Sequence, residues 1–359
     1  MENMLLNVEI LSISNKPKEK IPYGVKMIGA ELEWLETKGK GIKVAVLDTG
    51  CPNHKDIKNI GNVFTANGLR HSTDAWDRQG HATHVAGTIC ANGEILGVLP
   101  EATLYPAKVL DDLGGGSDDT IAQGVEWAIT QKVHVINMSL GGINPQLKTH
   151  EAIKKAVAQG IKVICASGNA GYSWMGYPAR FPETIAVASV DPDKMWSQFS
   201  SIGEEVELCA LGSQVESCYL DNKYAVFQGT SMACPHIAGA VGLFDAKSLL
   251  RFGRIQSLDE IRNVMHIYAE DLGDVGRDKK YGFGLFSFGR FGTSDGISIV
   301  VKAVVGKKDF YVNGKQYIFD IVPEVKSGRT LIPLRSIHEA IGDKVDYNGA
   351  TQEITITRG

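Results

Sequence analysis

Gly229-Thr230-Ser231-Met232-Ala233-Cys234-Pro235-His236 is the stretch on which the reading of this chain turns. A serine followed by small residues and then a proline suits a turn that opens a helix. Such a turn presents a hydroxyl while helix-terminal N–H groups point at whatever lies in front of it. Serine and glycine occur in any loop, so the octapeptide needs partners. A serine hydroxyl is a weak nucleophile near neutral pH; it needs a base, and the base needs an orienting carboxylate.

Two upstream segments supply these groups. Lys43-Val44-Ala45-Val46-Leu47-Asp48-Thr49-Gly50 is a short buried-strand pattern ending in an acid and a turn glycine. Asp48 therefore falls at the carboxyl end of a strand, where open α/β sheets carry their functional groups. Gly80-His81-Ala82-Thr83-His84-Val85-Ala86-Gly87-Thr88 puts His81 at the start of a small-residue helix. The chain order is Asp, His, Ser. Hydrolases with a G-x-S-x-G elbow run Ser, Asp, His, and the chymotrypsin type runs His, Asp, Ser.

With these segments in view, the chain resembles the subtilisin-like serine proteases, the subtilases. Val135-Ile136-Asn137-Met138-Ser139-Leu140-Gly141-Gly142 and Ala166-Ser167-Gly168-Asn169 extend the resemblance, which runs from Ile21 to Phe288. Gly39 through Cys51 particularly resembles the intracellular branch. The resemblance implies a peptide-bond hydrolase with Ser231 as nucleophile, His81 as general base and Asp48 as its orienter. Asn169 matches the amide that donates to the oxyanion, beside the Ser231 N–H. Loss of such a donor costs about 3–4 kcal/mol of transition-state stabilisation. The implied fold is a three-layer α/β domain with a mainly parallel sheet, followed by a small β-rich domain.

The same resemblance assigns the substrate groove. Gly114-Gly115-Gly116 and Ser139-Leu140-Gly141 match the segments that take a substrate between them as an added strand. Main-chain pairing of that kind gives affinity with little sequence preference. Ala166, Ser167, Gly168 and Gly176 match the pocket for the residue before the cleaved bond, and their small size implies tolerance for large apolar or aromatic side chains. Asp111, Asp112, Asp118 and Asp119 flank the glycine run; they either favour basic substrate residues or solvate a loop. Many subtilases also hold a structural calcium in the loop after the histidine helix. Asp56 would be its distant carboxylate here, yet the segment Ile89–Ile95 is shorter than usual. A hard cation needs roughly six to eight oxygens, so calcium stays an open expectation.

Other chemistries fit less well. Asp48-Thr49-Gly50 occurs in aspartic proteases, but they need a second copy of the tripeptide and none is present. His81 and His84 are three apart with Ala82 and Thr83 between, whereas zincins use i, i+4 histidines around a glutamate. The related carboxyl peptidases replace the histidine by glutamate, and His81 is present. An inactive, peptide-binding form of the fold is the competing class. Ala82, where most subtilases have glycine, and Cys234, where serine or alanine is usual, are the departures that keep it in view.

Composition agrees with a globular enzyme: 359 residues, 43% hydrophobic, 22% charged, net charge −4. The absence of a basic block argues against nucleic-acid binding. No apolar run is long enough to span a membrane. The first ten residues carry Glu2 and Glu9 and no basic segment, unlike a secretion signal. Six cysteines without CxxC spacing fit reduced thiols in the cytoplasm. Residues 1–20 leave no room for a folding prodomain; the expectation is a short extension covering the site until it is cleaved, as in the intracellular branch.

The catalytic domain is placed at 21–290 and a linker at 291–298. Residues 299–359 alternate apolar and polar like strands. Phe310–Lys315 reads as a hairpin on Asn313-Gly314. A strand over Arg329–Arg335 leads to a helix over Ile337–Ile341, and Val345–Tyr347 pairs with Glu353–Thr357. This segment resembles the copper amine oxidase N-terminal-like domain. His338 is its sole histidine, so no metal is implied. Partner binding, self-association and simple capping are its open roles.

Overall fold

The computed structural model describes residues 2–3, 8–72 and 74–291 and, beyond them, seven strands between 301 and 357. Side chains are described for 8–72 and 74–289. Residues 1–289 and 290–359 form two compact units.

The larger unit is built on a nine-stranded sheet. From one edge its order is Ala269–Glu270, Leu285–Phe286, Val206–Leu211, Thr184–Val190, Lys162–Ala166, Val135–Met138, Lys43–Asp48, Thr103–Lys108 and Phe64–Thr65. Every neighbouring pair is parallel except Ala269–Glu270 with Leu285–Phe286. A parallel sheet is covered by helices on both faces, so its strands read as continuous apolar runs. Val135–Met138, Lys162–Ala166 and Thr184–Val190 are buried throughout. One face packs Ala45, Leu47, Ile136 and Val163 against Ile121 and Val125 of helix Asp118–Thr130 and Ile153 of helix Leu147–Ala158. Helices His81–Cys90 and Thr230–Phe252 belong to the other layer. Three layers result.

A smaller sheet lies beside the serine. Val215–Tyr219 and Lys223–Gln228 form an antiparallel hairpin, and Glu9–Ser14 adds a third strand to its outer edge. The hairpin turns on Asp221 and Asn222, both at φ 57°, a left-handed conformation that Asp and Asn accept more readily than other side chains. Gln228 leads directly into Gly229-Thr230-Ser231.

In the smaller unit the strand order is Lys315–Ile318, Asp309–Val312, Val301–Val304, Glu353–Thr357 and Lys344–Asn348, all antiparallel. A separate pair joins Glu324–Lys326 and Arg329–Leu331. The strands flanking Asn313-Gly314 and the closing pair stand where the alternation places them. The linker from 292 onward and the helix expected over 337–341 lie outside the described residues. Among the described residues no helix is long and apolar enough to cross a membrane.

Candidate active site

Asp48 ends its strand, His81 opens its helix, and Ser231 lies in the first turn of helix Thr230–Phe252. His81 Nδ1 lies 2.9 Å from both Asp48 oxygens. A carboxylate can only accept there, so Nδ1 carries the proton and Nε2 is left as the basic nitrogen. Nε2 is buried and has no hydrogen-bond partner among the described residues. Ser231 Oγ donates to the Ser139 carbonyl at 3.1 Å. The hydroxyl must therefore rotate from Ser139 to the imidazole before it reacts, and such contacts commonly tighten only when substrate is bound.

Pro235 explains part of this local geometry. It sits inside the serine helix, where its missing N–H leaves the carbonyl four residues back, that of Ser231, without a helical donor. The Ser139 hydroxyl fills the vacancy at 2.9 Å. Ser139 and Ser231 are thus bonded in both directions. Asn137 Nδ2 in turn donates to Ser139 Oγ at 3.0 Å, and its Oδ1 accepts from the Cys234 thiol at 3.2 Å. Burial raises the Cys234 pKa well above the ordinary thiol range, so Cys234 serves as a neutral donor. The glycine-to-alanine departure at Ala82 is absorbed in a fully buried position, with its N–H held by Thr49 Oγ1 at 3.1 Å.

Asn169 is oriented by Thr230, which the sequence reading passed over. Asn169 Oδ1 accepts from both the Thr230 N–H and the Thr230 hydroxyl, each at 2.8 Å. A backbone N–H can only donate, so the amide orientation is fixed and Nδ2 is the end turned toward Gly229. Thr230 Oγ1 also accepts from the Gly168 N–H at 3.1 Å. These bonds hold Asn169 Nδ2 beside Gly229, two residues ahead of Ser231. Asn169→Ala is expected to lower kcat about 10²–10³-fold with KM little changed. Steady-state kinetics on a chromogenic peptide would check this, and a pure KM effect would contradict it.

Two more residues tie the site together. Asp77 caps the histidine helix: Oδ1 accepts from Gln79 N, Gly80 N and Thr49 Oγ1, and Oδ2 from Thr83 N and Oγ1. An acid just ahead of a helical histidine is a helix-start signal, so Asp77 was findable. Lys108 was not. It is fully buried, and its Nζ donates to the Thr49 and Trp76 carbonyls and to Asp112, at 2.5, 3.0 and 2.6 Å. One ammonium joins the loops that bear Asp48, His81 and the glycine strand.

Of the acids around that strand Asp111 is buried and Asp119 exposed, and each has a partner within the protein. Asp111 accepts from Leu113 N and Gly115 N, Asp118 caps helix Leu147–Ala158 through Lys148 N and Thr149 N, and Asp119 pairs with Lys148. With Asp112 on Lys108, all four have structural partners. The structure gives them local roles rather than the attraction for basic substrate residues left open above.

In the groove, Glu2–Asn3 pairs antiparallel with Gly115–Gly116, beside the left-handed Gly114. Leu140 is buried, and Gly141 precedes the Gly142–Tyr177 bridge, whose two N–H groups donate reciprocally at 2.9 and 2.8 Å. A Cβ on Gly176 would lie 2.5 Å from the Gly142 carbonyl, so this wall needs glycine. Ala166 and Ser167 are buried, and Ser167 Oγ has no hydrogen-bond partner among the described residues.

His84 is a fastener. Its Nε2 lies 3.1 Å from the Val215 and Ala225 carbonyls and its ring stacks on Phe227. Burial lowers its pKa to about 3, with the nearby His81 adding to the effect, and burial lowers that of His236 to about 4. Unfolded imidazoles take up a proton near pH 6.5. The unfolded chain therefore binds more protons below that pH, and stability falls as pH drops from about 6.5 through the folded values. The melting temperature is expected to decrease steadily from pH 7 to pH 5. Calorimetry giving a flat profile would contradict it.

Asp56, expected above as a calcium ligand, has its carboxylate held by donors from the protein itself. Its carboxylate accepts from Glu94 N at 3.1 Å, Ile95 N at 3.3 Å and the Tyr224 hydroxyl at 2.7 Å. It also packs so tightly on Gly93 that a Cβ there would collide with Oδ1. Burial, with the Asp56 hydrogen bond adding, raises the Tyr224 pKa, so the hydroxyl stays protonated and donates. His54 and Cys218 stand close by. However, His54 Nδ1 accepts from Asp56 N and its Nε2 donates to the Lys223 carbonyl, while burial keeps the Cys218 thiol protonated. A phenol and two N–H groups hold the carboxylate where calcium would have done so. Tyr224→Phe should cost about 1–3 kcal/mol, and the loss should be equal in chelator and in millimolar calcium. A loss that depends on calcium would restore the metal.

A buried carboxylate–imidazole pair and a helix-terminal serine, set on a mainly parallel three-layer sheet, define a serine hydrolase. Residues 39–284 match the Subtilase family, and the chain belongs to it. It is a subtilisin-like serine endopeptidase that acts on protein or peptide substrates. Residues 297–359 match the Copper amine oxidase N-terminal domain. Among similar proteins, the intracellular serine protease of Paenibacillus polymyxa is 46% identical over 248 residues, 66% of this chain and 76% of the relative. Subtilisin DY of Bacillus licheniformis is 40% identical over 265 residues, 71% and 94% of the two chains. The major intracellular serine protease of Bacillus subtilis (strain 168) is 42% identical over 256 residues, 67% and 80%.

Proposed function

We propose that the chain hydrolyses internal peptide bonds of extended polypeptide through an acyl-enzyme, with a preference for large apolar or aromatic residues before the cut. Ser231 attacks the carbonyl, His81 Nε2 takes its proton and returns it to the leaving amine, and Asp48 holds the imidazole. Asn169 Nδ2 and the Ser231 N–H stabilise the oxyanion. The observation that carries this reading is the clasp of both Asp48 oxygens on His81 Nδ1. Small residues at Ala166, Ser167, Gly168 and Gly176 support the pocket preference. Cleavage-site profiling of a mixed protein digest tests it. Cuts without enrichment for large apolar residues would overturn the preference, and no cuts would favour the inactive binding form.

Residues 1–20 act in this proposal as a covering segment. Glu2–Asn3 occupies Gly115–Gly116, and a methyl of Val8 lies against Gly229. Ser231 is 0% and His81 1% exposed. Fresh enzyme should gain activity as its N-terminus shortens, and full initial activity with residues 1–20 intact would sink the idea. We place the enzyme in the cytoplasm: two relatives are named intracellular proteases, and all six cysteines are buried free thiols.

A further inference from the structure

His54 and Asp56 lie just past the strand that ends in Asp48, and Cys218 lies far along the chain in the hairpin that leads into Ser231. One ring nitrogen of His54, one carboxylate oxygen of Asp56 and the Cys218 sulfur lie within 4.8 Å of one another, and all three residues are buried. Among the described residues this is the one place where three such donors meet. Neither the catalytic groups nor the oxyanion donors use them.

We propose that His54, Asp56 and Cys218 form a binding site for a borderline-soft divalent cation, with Zn²⁺ as its type, which staples the segment after Asp48 to the hairpin that leads into Ser231. The donor set selects the metal. Calcium takes oxygen ligands alone, whereas a nitrogen, a thiolate sulfur and a carboxylate oxygen are the three kinds of ligand that zinc accepts. Three observations carry the proposal.

The first is the tautomer of His54. Its Nε2 donates to the Lys223 carbonyl at 3.0 Å, which leaves the lone pair on Nδ1. Nδ1 is turned toward Asp56, whose N–H it accepts at 3.1 Å. Burial lowers the His54 pKa, so the ring is neutral at neutral pH. A neutral imidazole anchored by its other N–H on a carbonyl is how a metal-binding histidine is held.

The second is the spare capacity of Asp56. Oδ2 accepts from the Tyr224 hydroxyl and Ile95 N, while Oδ1 accepts from Glu94 N. Each oxygen has two lone pairs, so Oδ1 keeps one for a cation. The donors already on the carboxylate then orient it as a ligand.

The third is that the two segments are joined in advance. Cys218 and Tyr224 are paired directly across the hairpin, so their side chains share a face, and from that face Tyr224 reaches Asp56. The Lys55 N–H donates to Asn222 Oδ1 at 2.7 Å beside the bond from His54 to Lys223. Binding therefore exchanges the contact of Nδ1 with the Asp56 N–H for a metal bond. In the metal-free chain burial keeps the Cys218 thiol protonated; coordination releases that proton to solvent and leaves the thiolate on the metal. The fourth tetrahedral position falls to water or to the half-exposed Glu94 carboxylate, which lies 3.4 Å from the Tyr224 hydroxyl.

The test titrates Co²⁺, a coloured stand-in for Zn²⁺, into the full chain carrying Ser231→Ala, which removes self-digestion. About one equivalent is expected to bring tetrahedral d–d absorption together with thiolate-to-cobalt charge transfer. Zn²⁺ should displace the signal, millimolar Ca²⁺ should leave it unchanged, and Zn²⁺ should raise the melting temperature. Cys218→Ser should abolish both the charge transfer and the zinc-dependent rise in melting temperature. Tyr224→Phe should keep the charge transfer and weaken Zn²⁺ binding about 10–100-fold. If Cys218→Ser fails to fold, His54→Gln decides, with loss of the one-equivalent binding expected. No charge transfer in the folded parent, charge transfer that survives Cys218→Ser, unchanged binding in His54→Gln, or displacement by Ca²⁺ would each overturn the proposal.

Discussion

Ser231→Ala is expected to lower kcat by about 10⁶-fold, because nucleophile and base act as a unit and the loss of either leaves only the oxyanion donors and binding. The variant should fold. Its serine hydroxyl makes a single outgoing bond, to the Ser139 carbonyl, and a hydrogen bond of that kind contributes about 1 kcal/mol. The Ser139 hydroxyl still satisfies the residue 231 carbonyl above Pro235, so the start of the helix is unaltered. A fluorophosphonate should label the parent chain at Ser231 and fail to label the variant. Labelling of the variant, or hydrolysis near the parental rate, would remove Ser231 from its role. A folded parent that takes no label would point to the inactive binding form.

Asp48→Asn is expected to lower kcat by about 10⁴-fold with KM nearly constant. The reason lies in the other bond at this carboxylate. The Thr49 N–H donates to Asp48 Oδ1 at 2.7 Å, so an asparagine keeps its oxygen there and turns its NH₂ toward His81. The imidazole must then accept at Nδ1 and carry its proton on Nε2, the wrong tautomer for taking a proton from Ser231. Burial prevents an easy escape, since Asp48 and His81 lie beneath the Thr49–Asp77 network. Kinetics with parallel thermal melts would separate this from unfolding. A loss below about tenfold would show that His81 needs no orienter.

Much of this site is legible in short segments. Asp48, His81 and Ser231 each sit where one element begins or ends, and strand pattern, helix start and turn residues are local signals. Gly176 follows the same logic, since a Cβ there would lie 2.5 Å from the Gly142 carbonyl oxygen. The four acids near the glycine strand were harder. Their charge is plain in the sequence, but its direction is set by Lys108, by the start of helix Leu147–Ala158 and by Lys148. Thr230 looked like one residue of a motif, and only the bonds to its amide and hydroxyl show that it aims Asn169.

By itself the sequence determined the class of chemistry and the sheet that carries it, because nucleophile, base and carboxylate announce themselves through local conformation and residue type. Tertiary structure decided what depends on groups distant in the chain. Asp56 reads as a calcium ligand, and only the fold shows that Tyr224, 168 residues away, donates to it. Lys108 and Lys162 are both fully buried, Lys162 on Asp245 at 2.7 Å. A buried polar group must find its partner wherever folding brings one. No local pattern encodes that partner, nor the pairing of Glu9–Ser14 with the strand that leads into Ser231.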